Sequence, residues 1–179
     1  MRVIGGEFRS RRLKTLPGKS LRPTPDRLRE ALFNVLAPCI EGAVFLDVYA
    51  GCGSVGIEAL SRGAARAVFI ERRRAAARLI EENLRILGAW GRAAVICGSA
   101  MTHLAKLAAD VVFLDPPYDA QQEYEQALRA LGERPPRLVV AQHDRRLALA
   151  ASYGRLRRVR RLQQGDNVLS FYEPGEPLP

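Results

Sequence analysis

Asp115-Pro116-Pro117-Tyr118 is the segment of this 179-residue chain whose residue types most directly suggest chemistry. Two successive prolines fix the backbone and remove two amide donors, leaving the local carbonyls able to accept hydrogen bonds. Asp115 adds a carboxylate acceptor, and Tyr118 adds an aromatic face on which a nucleic-acid base can stack. An exocyclic amine needs such acceptors, because they orient its hydrogens and aim its nitrogen lone pair at an electrophile. The matching reaction is an in-line displacement on a methyl group, in which most of the catalysis is positioning. A base inside a helix cannot reach such a site, so its nucleotide must be unstacked or flipped. Taken alone, the four residues more often mean only a rigid stop after a buried strand, so their place in the fold has to separate the two readings.

A second constellation lies upstream. Gly51, Gly53 and Gly56 satisfy G-x-G-x-x-G between an apolar strand and a helical stretch, and Glu71 follows twenty residues after Gly51. Glycines let the backbone turn sharply and approach a ligand, while an acid on the second strand can accept both hydroxyls of a ribose. Nicotinamide and flavin enzymes use the same layout, so the motif leaves those cofactors open. Asp47 separates them, because it puts a carboxylate at the end of the first strand, where a dinucleotide fold keeps an apolar residue. A sulfonium and an amino group would be attracted there and a pyrophosphate repelled. The plainer role for Asp47 is to cap the following loop.

The elements that must hold these residues can be read from hydrophobic periodicity. Apolar runs at 44–46, 67–70, 93–97, 111–114 and 138–141 alternate with helical stretches near 54–62, 73–87, 101–107, 121–131 and 144–151. Short continuous apolar strands alternating with helices indicate a parallel sheet covered on both faces, with ligands at the carboxyl ends of its strands. Segments 156–162 and 167–172 flank Gln163-Gln164-Gly165-Asp166 and read as a closing antiparallel hairpin. Ahead of the sheet, residues 1–23 read as short extended pieces, with Gly5-Gly6 and Pro17-Gly18 as turns. A helix opens at Thr24-Pro25-Asp26, with Thr24 as cap and Pro25 in the first position, and stops near Leu36 before Pro38. The expected domains are a basic extension with a β-hairpin and helix over residues 1–40, bordering the active site, and a Rossmann-like α/β domain over 41–179.

Lys and Arg number 28 against 19 acidic residues, a formal charge of +9, and nine of the basic residues fall within the first thirty. Arg9, Arg11, Arg12, Arg22 and Arg27 are the candidates there for nucleic-acid phosphates, since turn-forming residues lie among the charges. A second cluster, Arg155, Arg157, Arg158, Arg160 and Arg161, fits a solvated surface as well as a binding one. Three scattered cysteines without a C-x-x-C pair suit a reducing cytoplasm. His103 and His143 are too few for a metal site and are expected at the surface or half-buried. Neither a secretory leader nor a membrane span is expected, and the chain is expected to be a monomer.

Several segments resemble the bacterial RsmD-type methyltransferases. These are Gly5-Gly6, Arg22-Pro23-Thr24-Pro25-Asp26-Arg27-Leu28-Arg29-Glu30-Ala31-Leu32-Phe33-Asn34, the glycine turn, Leu60-Ser61-Arg62-Gly63-Ala64 and Asp115-Pro116-Pro117-Tyr118. The resemblance implies a class I methyltransferase fold with S-adenosylmethionine as donor. It also implies methylation of the exocyclic amine of one guanine in small-subunit (16S) ribosomal RNA, free or within an assembling subunit. By the same resemblance Asp47, Gly51, Gly53 and Glu71 line the cofactor pocket, and Asp115, Pro116, Pro117 and Tyr118 hold the target amine and base. The segment 24–34 borders the site, and Arg9, Arg11 and Arg12 meet RNA phosphates.

The sequence departs from this pattern twice. Cys97-Gly98-Ser99-Ala100 stands where the family has Asp-Ala, which leaves Ser99 or the backbone to read the cofactor's adenine amine. Gln142-His143 stands where a Glu is expected after the fifth strand. The alternatives weighed are an adenine-amine DNA methyltransferase, a non-catalytic RNA-binding module and a nicotinamide-dependent oxidoreductase. The oxidoreductase leaves Asp47, the proline turn and the basic segment without a role.

Overall fold

Strands buried on both faces appear as unbroken apolar runs, and the computed structural model, which describes residues 1–16, 24–104, 106–117 and 121–175, assembles them accordingly. β1 (Val44–Val48), β2 (Arg66–Glu71), β3 (Ala93–Cys97), β4 (Val111–Leu114) and β5 (Leu138–Asp144) lie parallel in the order β3-β2-β1-β4-β5. β8 (Asn167–Pro174) adds antiparallel to β5, β7 (Leu156–Gln164) to β8, and β6 (Ser152–Tyr153) to β7. The expected α/β sheet with its closing hairpin is therefore present. The hairpin turns at Gly165-Asp166, with Gly165 at φ +60°. The two-residue β6 is too short to leave a period in the sequence.

Helices α1 (Asp26–Ile40), α2 (Ser54–Ser61) and α3 (Arg74–Ile86) cover one face, and α4 (Ala100–Leu104) and α5 (Gln121–Glu133) cover the other. Strand β1 shows the division: Phe45 packs with Leu32, Phe33 and Phe113, while Leu46 and Val48 pack with Leu104, Tyr124 and Leu128. Chain order reverses between β1 and β4, which opens a crevice at their carboxyl ends. Among the described residues no helix is long and apolar enough to cross a membrane.

The structure corrects five expectations. α1 continues to Ile40 through Pro38, because buried Ile40 anchors the last turn and one missing amide this near the end costs a single bond. Thr24 does not cap α1. Pro25 occupies the cap position, and the Thr24 hydroxyl turns inward to Gln142. α4 ends at Leu104 rather than near 107. Residues 144–151 form no helix, because tertiary partners take their backbone groups. The Leu149 carbonyl accepts from the Arg158 guanidinium, the Ala150 carbonyl from the Tyr172 hydroxyl, and the Ala150 amide donates to the Tyr153 hydroxyl. His143, expected at the surface or half-buried, is buried between the Ser170 hydroxyl and the Asp144 carbonyl, 2.9 Å from each.

The N-terminal segment folds back on itself through an Arg2–Arg12 bridge and buries Val3, Phe8 and Leu13 against Ile57, Leu60, Ile80 and Leu84 of α2 and α3. A buried polar junction fastens it. Glu58, 0% exposed, accepts from the amides of Ile4 (2.9 Å) and Gly5 (2.8 Å) and from Arg62 Nε (2.8 Å). Arg29, also 0% exposed, approaches Glu58 through Nε at 3.6 Å and donates to the Arg2 carbonyl and to Asp26. Gly6, at φ +77°, lies so close to the Ser61 carbonyl that any Cβ would collide with it. Arg29, one of the nine basic residues among the first thirty, is thus buried rather than solvent-facing. Pro17-Gly18 lies outside the described residues.

Candidate active site

The carboxyl ends of β1, β2, β4 and β5 enclose a cavity of about 670 Å³ with the start of α1, and Asp47, Gly51, Glu71, Ser99, Asp115, Pro116 and Pro117 all line it. Residues from four separate sequence regions therefore share one wall. Gly53 stands just behind, at φ +79°, as the cap residue of α2. Tyr118 and Arg22 lie outside the described residues.

The glycine turn is built by steric exclusion. Gly51 and Gly53 adopt the left-handed conformation that side chains disfavour, and a Cβ on Gly56 would strike the Phe69 ring of β2. The helix can thus sit close on the sheet and present its amino end to the cavity. Asp47 Oδ2 accepts the Gly56 amide at 2.8 Å, so the carboxylate both faces the cavity and completes the first turn of α2. Burial pushes the Asp47 carboxyl well above its ordinary range. The Gly56 amide opposes that shift, and Asp115 and Glu71 reinforce it. A cation in the cavity would reverse the imbalance.

Glu71 fixes the opposite rim, its two oxygens accepting the amides of Gly51 and Arg73 at 2.8 Å each. Each oxygen keeps a further lone pair for a hydroxyl donor. Ser99 is exposed at the lip beside Gly98. Across the cavity, Asp115 Oδ2 accepts from Gln142 Nε2 at 3.3 Å.

Thr24, from the segment expected to border the site, lines the wall; sequence reasoning did not place Tyr49, Glu123 or Gln126 there, and it left the role of Gln142 open. Tyr49 stands two residues beyond Asp47 in an unusual backbone conformation, φ +67°. Burial, and then the nearby Glu123 carboxylate, push its hydroxyl up. Glu123 and Gln126, three apart on α5, share a helix face, a spacing that could have linked them once the helix was placed after the proline turn. Arg9, Arg11, Arg12 and Arg27 are exposed and stand outside the cavity wall. Arg12 borders a shallow recess with Arg2 and Asp26, and Arg11 reaches the Ile86 carbonyl at the end of α3, 3.3 Å away.

Comparison with known proteins gives concordant findings. The signature of the family described as Conserved hypothetical protein 95 matches residues 1–173. "Ribosomal RNA small subunit methyltransferase D" of Escherichia coli K12 is 48% identical over 120 residues, which is 66% of this chain and 60% of that protein's length. The solved structure of yhhF from Escherichia coli superposes with a TM-score of 0.85 at 36% identity, covering 98% of each chain. An RNA methyltransferase from Salinibacter ruber in complex with S-adenosyl-L-homocysteine shares the fold (TM-score 0.68, 20% identity, 88% of this chain and 97% of that one).

Proposed function

The chain belongs to the Conserved hypothetical protein 95 family, that of the RsmD-type methyltransferases, and from that premise we propose that it methylates the exocyclic amine of a guanine in small-subunit ribosomal RNA. S-adenosylmethionine is the donor, the partner is the RNA or an assembling small subunit, and the chain works as a monomer in the cytoplasm. The observation that carries the reading is the convergence of Asp47, Glu71 and the glycine turn with Asp115 and Pro116 around one cavity.

The cavity suits the cofactor. The glycine turn lets α2 sit close on the sheet at the cavity rim, Glu71 retains lone pairs for ribose hydroxyls, and Asp47 is a buried carboxylate that gains from a neighbouring cation. When bound, S-adenosylmethionine supplies a methyl group to the amine nitrogen, and the C–S bonding pair leaves on sulfur. Asp115 and the carbonyls around Pro116 and Pro117 accept from the amine hydrogens and hold the lone pair in line. Asp115 lies ready for the proton that the nitrogen sheds as the bond forms. Tyr118 supplies the stacking surface for the flipped base, and the N-terminal unit, residues 1–40, supplies the RNA-facing border through Arg9, Arg11, Arg12, Arg22 and Arg27.

Two predictions probe the parts separately. Ser99→Asp restores the carboxylate that the family places by the adenine amine. It should tighten cofactor binding roughly tenfold by calorimetry, about one charge-assisted hydrogen bond at a partly wet site; unchanged affinity would show that Ser99 or the backbone already serves. Replacing Arg9, Arg11 and Arg12 with Ala should flatten the dependence of RNA affinity on salt by roughly two logarithmic units of slope, at about 0.7 per phosphate contact. An unaltered slope would return the three arginines to the solvated surface.

The function itself is tested by methyl transfer from radiolabelled S-adenosylmethionine to naked 16S RNA, partly assembled small subunits and duplex DNA, with nucleoside analysis of the products. Label in N-methylated guanosine supports the proposal. Label only in DNA adenine keeps the chemistry and overturns the substrate, and no label leaves a binding module.

A further inference from the structure

Gln142, near the carboxyl end of β5, stands in the cavity wall, 5% exposed, and holds two side chains at once. Its Nε2 donates to Asp115 Oδ2 at 3.3 Å, and its Oε1 accepts from Thr24 Oγ1 at 3.2 Å. Only one amide orientation serves both, since the reverse would set an oxygen against a carboxylate. The backbone is held as well, because the Gln142 carbonyl accepts the Tyr124 hydroxyl of α5 at 2.5 Å. The pairing of Leu114 with Ala141 makes Asp115 and Gln142 the next residues along adjacent parallel strands. The contact therefore follows from sheet register.

We propose that Gln142 is a positioning residue for methyl transfer: its amide sets the plane of the Asp115 carboxylate and, through Thr24, ties that plane to the start of α1. This rests on the reading of Asp115 as the acceptor for the target amine. A carboxylate offers about four acceptor sites, so one amide donor orients it without using it up. A neutral donor also matters for charge. Asp47, Glu71, Asp115 and Glu123 already line this cavity, with Arg72 and Arg73 as the cations there. The Tyr124 hydroxyl bonds the Gln142 carbonyl, and the neighbouring His143 faces Ser170 instead. A Glu at position 142 would face Asp115 at hydrogen-bond distance, and the two would have to share a proton.

The test compares the full chain with Gln142→Ala, Gln142→Glu and Thr24→Val in methyl transfer to its RNA or subunit substrate, across pH about 6 to 9. Calorimetry with S-adenosylmethionine serves as the control for folding and cofactor binding. Gln142→Ala should lower kcat roughly 10- to 100-fold, the scale of misplacing a reacting group, with KM for RNA and cofactor affinity within about twofold. Thr24→Val should show the same split at smaller size. Gln142→Glu, close in shape, should work at low pH, where its protonated carboxyl can donate. Its rate should then fall as pH rises and the shared proton is lost, a descending limb absent from the parent chain. Parent-like kcat in Gln142→Ala, or a parent-like pH profile in Gln142→Glu, overturns the positioning role while leaving the proposed function intact. No transfer by the parent chain overturns both.

Discussion

Asp115→Ala should lower kcat for methyl transfer by roughly 100- to 1,000-fold, the usual loss when one preorganised hydrogen-bonding partner of a transition state is removed. Cofactor affinity should hardly move. Asp115 directly follows β4, whereas the cofactor cradle is made by β1, the glycine turn and β2. The electrostatic coupling of Asp115 to Asp47 works in favour of this separation. Asp115 helps to raise the Asp47 carboxyl, so its removal lets Asp47 ionise more readily and favours a cationic ligand. The measurement is single-turnover transfer alongside calorimetric titration with S-adenosylmethionine. Joint loss of transfer and binding would make Asp115 a cofactor or folding residue and return the proline turn to a rigid stop.

Glu58→Ala should destabilise the protein by about 3–5 kcal/mol, because it leaves a fully buried guanidinium without its buried counter-charge. Burial already lowers the Arg29 pKa, and Glu58 opposes that shift more strongly than Asp26 does. Asp26, about half exposed, cannot replace Glu58. The same change strands the amides of Ile4 and Gly5 and the Nε of Arg62. For a chain of this length the midpoint of thermal unfolding should fall by roughly 10 °C. A paired replacement, Arg29→Met with Glu58→Leu, should recover much of the loss, since apolar substitutes for buried ion pairs are often neutral. A midpoint within about 2 °C of the parent in Glu58→Ala would mean that water reaches the junction and the pair contributes little.

The junction also explains segments that the sequence presented as separate. Gly5-Gly6, Arg29 and Ser61-Arg62 lie far apart in the chain, yet they meet around Glu58. The family-like segments here thus serve attachment of the N-terminal segment as well as the cavity rim. In the sequence Arg29 is one more basic residue of the N-terminal cluster, because charge is visible there and burial is not.

Periodicity and special residues determined much of this protein. Strands buried on both faces must be apolar throughout, a helix-packed glycine turn needs residues without Cβ, and a proline pair must end a strand. The five parallel strands, the glycine cradle and the Asp115 turn were therefore legible from residue types and spacing alone. The 144–151 stretch, the cap of α1 and the burial of His143 were not, because local propensity lost to partners distant in the chain. The same holds for Gln142. Sequence marked it only as a departure, and sheet register alone set its amide between Thr24 and Asp115. Local chemistry is written into the order of residues, whereas a side chain's partners depend on which strands become neighbours, and only the folded chain decides that.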